Sequence, residues 1–159
     1  MTQLANANAG VVVEALRAWN PQAVAQVVEY RGETTIVVPK ELLRAAAQHC
    51  KENPALKFTL LSDATCVDRF PGEPRFELNY QLLSIPRHAR IRLRTGVSAQ
   101  HPVVDSLEPI WPGANWLERE IFDMFGIHFE GHTDLRRILL PEGFQGYPLR
   151  RDFPTEGQR

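Results

Sequence analysis

The chain has 159 residues, a formal charge of −1, 43% hydrophobic and 23% charged residues, the composition of one ordinary globular domain rather than a disordered chain or two full domains. The charge gives no electrostatic case for nucleic acid, and no apolar run approaches the ~20 residues of a transmembrane helix. Met1-Thr2-Gln3-Leu4-Ala5-Asn6 lacks the basic and apolar regions of a signal peptide.

Val12, Leu16 and Trp19 recur at helical spacing until Asn20-Pro21 stops them, which predicts a helix near residues 9–19. The β-branched runs 24–30 and 34–38, around Arg31-Gly32-Glu33, predict a hairpin. Pro39 suits the first turn of a helix whose apolar side is Leu42, Leu43, Ala46, Ala47 and Cys50, closed by Asn53-Pro54. Phe58 to Val67 reads as a third strand. Phe76, Leu78, Tyr80 and Leu82 alternate with Glu77, Asn79 and Gln81, the pattern of a half-buried strand, and Arg90-Ile91-Arg92-Leu93-Arg94 alternates again. This order predicts an α+β fold, a mostly antiparallel sheet with helices packed on one face.

From Gly96 to Pro112 there is no sustained period. Asn115 then stands three residues before Glu118, a capping-box spacing, and opens a helix over 116–125 that Gly126 stops. Leu117, Ile121, Met124 and Phe125 form its apolar stripe; Arg119 and Asp123, four apart, can pair along it. Glu118 has two compatible readings: a capping-box residue, or a buried carboxylate that needs an arginine from the tail or another chain. Pro141, Pro148 and Pro154 with Gly143 and Gly146 forbid a long helix further on. Residues 1–131 are therefore read as the α+β domain and 132–159 as an extended C-terminal arm. Arg136-Arg137 and Arg150-Arg151 lie among Leu135, Ile138, Leu139, Phe144, Leu149 and Phe153, a composition enriched in interface cores.

Chemistry finds little footing in the chain. There is no glycine-rich nucleotide loop and no serine elbow. Cys50 and Cys66 are distant, without a Cys-x-x-Cys or Cys/His cluster, which argues against disulfides and iron–sulfur ligation and for reduced, buried thiols. Asp63 and Asp68 are explained by ordinary turns. The Arg90, Arg92 and Arg94 row could track phosphates, but a solvated strand face opposite Glu77, Asn79 and Gln81 explains it better. His128-Phe129-Glu130-Gly131-His132 would place two imidazoles on one helical face, as a stand-alone metal hydrolase requires. Gly126 and Gly131 bracket that segment and no third ligand is evident, so a structural His132 bonded to backbone or to a carboxylate is the better reading.

One pattern is more specific. Glu118-Arg119-Glu120, two residues, Asp123, Met124-Phe125, six residues, His132, three residues, Arg136, one residue and Ile138-Leu139 meet a signature at every specified position. With Gly146-Tyr147-Pro148-Leu149-Arg150-Arg151-Asp152-Phe153-Pro154, the chain resembles the 30-kilodalton-type subunit of the proton-pumping NADH:quinone oxidoreductase, respiratory complex I. The match is strongest over the last third; upstream, the order of elements and Ile110-Trp111-Pro112-Gly113-Ala114-Asn115-Trp116 agree. The resemblance implies a noncatalytic subunit of the peripheral arm, with no cofactor in this chain. FMN, iron–sulfur clusters and quinone would sit in partner subunits. It further implies docking on the quinone-site subunit as a separate chain, near two iron–sulfur subunits, on the cytoplasmic side of a bacterial inner membrane touched only through the complex. The expected interface residues are Glu118, Arg119, Glu120, Asp123, His132, Arg136, Arg137, Arg150, Arg151, Asp152 and Phe153. Thr133 stands where this family usually has proline. The alternative is the equivalent small subunit of a related membrane-bound hydrogenase or ferredoxin-linked complex.

Overall fold

The computed structural model describes residues 2–154 and 156, with residues 2–9 described as backbone only. Helix α1 spans Thr2–Trp19 and buries Val12, Val13 and Leu16. It starts earlier than periodicity predicts, because residues 2–8 carry no apolar repeat that would reveal a helix. Strands β1 (Gln26–Tyr30) and β2 (Glu33–Val37) form the predicted antiparallel hairpin. Its turn residues Arg31 and Gly32 have φ of 51° and 79°, the left-handed pair that matches the twist of the strands. Pro39 leads through a short 3-10 turn into α2 (Leu43–Glu52), where Leu43, Ala46, Ala47 and Cys50 are buried. Burial pushes the Cys50 thiol up to about 12, so it stays protonated as a small core group.

Strands β3 (Leu60–Asp68), β4 (Phe76–Ser84) and β5 (Ala89–Val97) complete a five-stranded sheet in the order β1-β2-β5-β4-β3. Only β2 and β5 run parallel. Phe76, Leu78, Tyr80 and Leu82 point to the helices and are fully buried, as their alternation requires. On the opposite face Asn79 stands across from Arg94 and Gln81 across from Arg92. Arg94 lies 3.3 Å from Glu77 and 3.2 Å from the Asn79 side-chain oxygen, while Arg92 donates to Glu33 at 2.7 Å. Arg92 and Arg94 are therefore matched by their strand neighbours rather than held open for phosphate.

The aperiodic stretch hides a small second sheet. Strand β6 (Val103–Asp105) pairs in parallel with β7 (His128–Glu130), and α3 (Ala114–Phe125) is the crossover between them. Three-residue strands are too short for alternation to register. β7 also removes the helical geometry on which a metal site would depend. His128 and Glu130 are exposed to either side of buried Phe129, and Gly131 turns the chain at φ 79° before His132. Among the described residues, no three His, Cys, Asp or Glu side chains gather as metal ligands would.

From residue 132 the described chain has turns but no helix or strand. It does not project as an extended arm; it folds back on its own domain. Leu149 N–H donates to the Met124 carbonyl at 3.2 Å and Arg151 N–H to Asp68 at 2.8 Å. The cause is the set of acceptors that α3 and β3 offer to the segment, carboxylates above all.

The Tyr80 hydroxyl is fully buried without a hydrogen-bond partner among the described residues, next to the apolar side of the sheet. Burying an unpaired hydroxyl costs about 1–3 kcal/mol. Tyr80→Phe should therefore leave urea-unfolding stability unchanged or raise it by about 1 kcal/mol. A loss of stability would show that the hydroxyl is bonded.

Candidate functional site: a carboxylate clamp under the C-terminal segment

The site is built on α3. Its C-terminus is set by Gly126 at φ 72°, whose N–H donates to the Phe122 carbonyl at 2.8 Å. A Cβ at this position would stand 2.4 Å from the Tyr147 ring, so glycine is required by both the backbone turn and the close approach of the tail. One side of the helix buries Ile121, Met124 and Phe125 against Ala64 and Cys66 of β3. The same helix also buries Glu118, Arg119 and Asp123, while Glu120 stays exposed.

Asp123 has no solvent exposure. One oxygen, Oδ2, accepts the backbone N–H groups of Ile138, Leu139 and Leu140 at 3.0, 2.8 and 2.9 Å. The other accepts from Arg137 Nη1 at 2.5 Å. Burial alone would raise this carboxyl's pKa, but the three amides and the guanidinium outweigh it, and the net shift is downward. Arg137 in turn donates to the carbonyls of Phe144 and Gly146 at 3.1 and 3.3 Å, and so ties the next turn to the same point. Arg119 does not pair with Asp123 along the helix. Its Nε and Nη2 donate to the carbonyls of Arg136 and Arg137 at 3.1 and 3.2 Å. The tail lies close enough for its own carbonyls and guanidinium to claim both partners.

Glu118 departs from the capping-box reading. Gly113 is the N-cap and carries no side-chain cap bond, and Asn115, already inside the helix, donates to Glu108 at 2.9 Å. Glu118 instead accepts the Leu107 N–H at 2.7 Å and the Ser106 hydroxyl at 2.5 Å. It is buried, as the second reading holds, but no arginine among the described residues reaches it. Desolvation therefore wins over two hydrogen bonds and pushes its pKa up to about 7.

His132 is structural. Its Nδ1 accepts the Asp134 N–H at 3.0 Å and its Nε2 lies 3.2 Å from the Asn115 carbonyl, with no side-chain exposure. Thr133 explains its own departure from proline: its N–H and hydroxyl both donate to Glu108, at 2.8 and 2.6 Å. Proline has neither donor. Although burial works in the opposite direction, these bonds and that from Asn115 hold the Glu108 carboxyl down at about 2.

A second anchor joins the tail to the sheet. Arg75 donates to both oxygens of Asp68 at 2.9 and 2.8 Å and to both of Asp152 at 3.0 and 2.6 Å. Hydrogen bonding from Arg75 holds Asp68 down at about 2. Arg150 donates to the Phe125 carbonyl at 2.6 Å and lies over the Tyr147 and Phe76 rings, at 4.5 and 5.1 Å. Arg151 donates to the Phe70 carbonyl at 2.9 Å, and Phe153 stacks on Phe144 at 6.1 Å. Asp68 and Arg75 escape a reading of the sequence. Asp68 looks like a turn residue, and only a bidentate partner 77 positions away, Asp152, reveals what Arg75 does. Of the expected interface residues, Glu120, Arg136 and Arg151 keep charged groups toward solvent, Arg136 in an exposed pair with Asp134 at 3.0 Å.

Two solved structures share this architecture. One is the "trypsin-resistant fragment (1-134)" of Nqo5: TM-score 0.70, 31% identity, 80% of this chain and 99% of that one covered. The other is a chain in the structure of the membrane-bound sulfane sulfur reductase, an archaeal respiratory membrane complex: TM-score 0.74, 27% identity, 92% of this chain and 85% of that chain. The fold is thus that of a class of small subunits found in respiratory complexes. A relative from the NADH-quinone oxidoreductase of Roseiflexus sp. (strain RS-1) is 46% identical over 143 residues, 90% of this chain and 82% of that protein. The family described as "Respiratory-chain NADH dehydrogenase, 30 Kd subunit" matches residues 36–159, and the chain belongs to it.

Asp123→Asn removes the anion from Arg137 and leaves the amide cluster with a neutral acceptor. It should destabilise the chain by about 3–5 kcal/mol, and limited trypsin digestion should cut faster after Arg136 and Arg137. Unchanged digestion would mean that the tail is held elsewhere.

The pH signs separate the carboxylates. The pKa of Glu118 in the folded state lies above its ordinary 4.5, so its contribution is complete below that value and is lost as pH rises through about 7. Asp68, Asp123 and Glu108 are lowered; their contributions are present at neutral pH and are lost as pH falls through the acid range. Glu118→Gln keeps the Leu107 bond and lets Ser106 turn from donor to acceptor. It should abolish the fall in stability between about pH 5 and 7 and gain on the order of 2 kcal/mol at pH 8, measured by urea unfolding across pH.

Proposed function

We propose that this chain is a noncatalytic part of a bacterial NADH:quinone oxidoreductase, held through α3 and its C-terminal segment on the quinone-site subunit, a separate chain, near two iron–sulfur subunits. In this reading FMN, iron–sulfur clusters and quinone belong to those partners. The chain supports electron transfer from NADH to quinone, coupled to proton translocation, from the cytoplasmic side of the membrane. Membrane contact would come through the complex, in keeping with the lack of any described helix long and apolar enough to cross. The observation that carries the reading is that the motif shared with this family is built as a rigid platform. Asp123, Arg137 and Arg150 fix the tail inside the chain, while Trp116, Leu139 and Leu149 are 62%, 62% and 54% exposed around it. Large apolar groups displayed on a fixed scaffold mark a protein interface.

The likeness to the sulfane sulfur reductase supports a second reading, the equivalent subunit of a related membrane complex with another electron donor. Affinity purification of the tagged chain from membranes distinguishes the two: NADH- and quinone-site subunits should accompany it under the first reading, and subunits for another donor under the second.

Arg136→Glu reverses an exposed charge at the platform. Stability of the isolated chain should change by no more than about 0.5 kcal/mol, while assembled complex in membranes should fall at least roughly tenfold. Normal assembly would place Arg136 outside the interface.

A further inference from the structure

Between α3 and the returning tail lies an open groove of about 420 Å³. Phe122, Leu135 and Leu140 give it apolar surface, and Arg119, Arg136 and Glu142 stand on its walls, with Arg137 beyond. The charges differ in how they are met. Arg137 has Asp123 at 2.5 Å and Arg136 has Asp134 at 3.0 Å. Arg119 has no carboxylate within ion-pair distance among the described residues, although its exposure is only 7%. Its Nε and Nη2 are spent on the Arg136 and Arg137 carbonyls; Nη1 makes no hydrogen bond to any described residue. The guanidinium also sits 5.3 Å from the ring of Trp116, itself mostly exposed. Glu142, on the same wall, pairs with none of the three arginines.

A mostly buried guanidinium tolerates its lack of an anion only while its free edge can reach water in the groove. Any partner that covers Trp116 and the apolar floor removes that water, and must then supply an acceptor or strand a charge. Arginine's planar fork favours a carboxylate, and the Nη1 edge is the one left open.

Resting on the assembly proposed above, we infer that this groove receives an acidic side chain of a neighbouring subunit, an Asp or Glu next to a large apolar residue that fills the floor. The carboxylate meets Arg119 Nη1, with Arg136 beside it, and the apolar neighbour packs on Phe122, Leu135 and Leu140.

The test uses the tagged full chain in membranes, with a photo-crosslinking benzophenone amino acid in place of Leu135, and reads the linked peptide by mass spectrometry. The expected result is one peptide of a co-purifying subunit, with Asp or Glu within two or three residues of the link. Assembled complex without a cross-link, a linked peptide without a carboxylate, or a link to lipid each overturn the groove assignment and leave the functional reading intact. If no oxidoreductase subunit accompanies the chain at all, the functional reading fails and the groove assignment with it. A second arm compares Arg119→Lys with Arg119→Leu. Lysine should retain most of the assembled complex, and leucine should lower it at least about tenfold. A variant of Leu135 alone, Leu135→Asp, should lower assembly similarly by setting like charges together; because Leu135 packs partly buried on the core, unfolding of the isolated chain is measured beside it and the loss of assembly should exceed the loss of folded chain. Equal assembly of the Arg119→Leu variant, or of the Leu135→Asp variant, overturns the proposal.

Discussion

The return of the tail onto α3 begins at one carboxylate, which accepts four hydrogen bonds from residues 137–140. A segment rich in proline and glycine pairs only some of its backbone donors in its own turns, as Phe144 does with Pro141, and the others that approach the core must find acceptors elsewhere. Asp123 supplies them to three consecutive N–H groups at once, an anion in a backbone nest, while Arg137 balances its charge. The direction of that carboxylate is set by the register of α3, and a shift of one residue would rotate it by about 100° away from the tail. Gly126 and Tyr147 then bring chain and helix within contact, so the clamp, the helix stop and the return of the tail are one constraint.

Glu118 and Asp123 share a helix, complete burial and an ionisable carboxyl, yet their pKa values move in opposite directions. Burial acts on both. What differs is the donors: an amide and a hydroxyl for Glu118, against three amides and a guanidinium for Asp123. Four donors including a cation keep the charge inside the protein; two neutral ones do not. The helix therefore carries a fixed negative charge toward the tail and a group near neutrality toward the 106–107 loop.

How much of this the sequence discloses depends on the length of the pattern. The alternation in β4 and β5 runs for several residues and reads correctly down to the polar face that Asn79 and Arg94 share. Gly126 marks the end of α3 because only its backbone suits the position. His132 is legible as structural because glycines bracket the segment before it. By contrast, β6 and β7 are three residues each, and their parallel pairing across α3 leaves no local trace. The second anchor is out of reach for a different reason. Asp68, Arg75 and Asp152 are brought together by the tertiary fold, and no spacing rule connects residues 68 and 75 to residue 152. Glu118 is half legible: its burial follows from the helix stripe, but its partners lie on a loop with no period.

The density of charge among large apolar residues after residue 117 suggests an interface on sequence grounds, and the structure shows why that inference needs a second step. Packed charges answer first to the chain that carries them. Arg137 and Asp123 have their bonding capacity taken up by carbonyls, amides and each other, and Arg150 gives its Nε to the Phe125 carbonyl and its guanidinium face to the Tyr147 and Phe76 rings. A side chain saturated in this way gives a partner shape but little energy, since a new contact would only exchange one bond for another. What remains for recognition is the unsaturated remainder: the Nη1 edge of Arg119, the loosely paired Arg136, and the exposed faces of Trp116 and Leu139. These belong to α3 and to the stretch of tail that crosses it. The same clamp that folds the tail thus decides which of the motif's residues are left to meet another subunit.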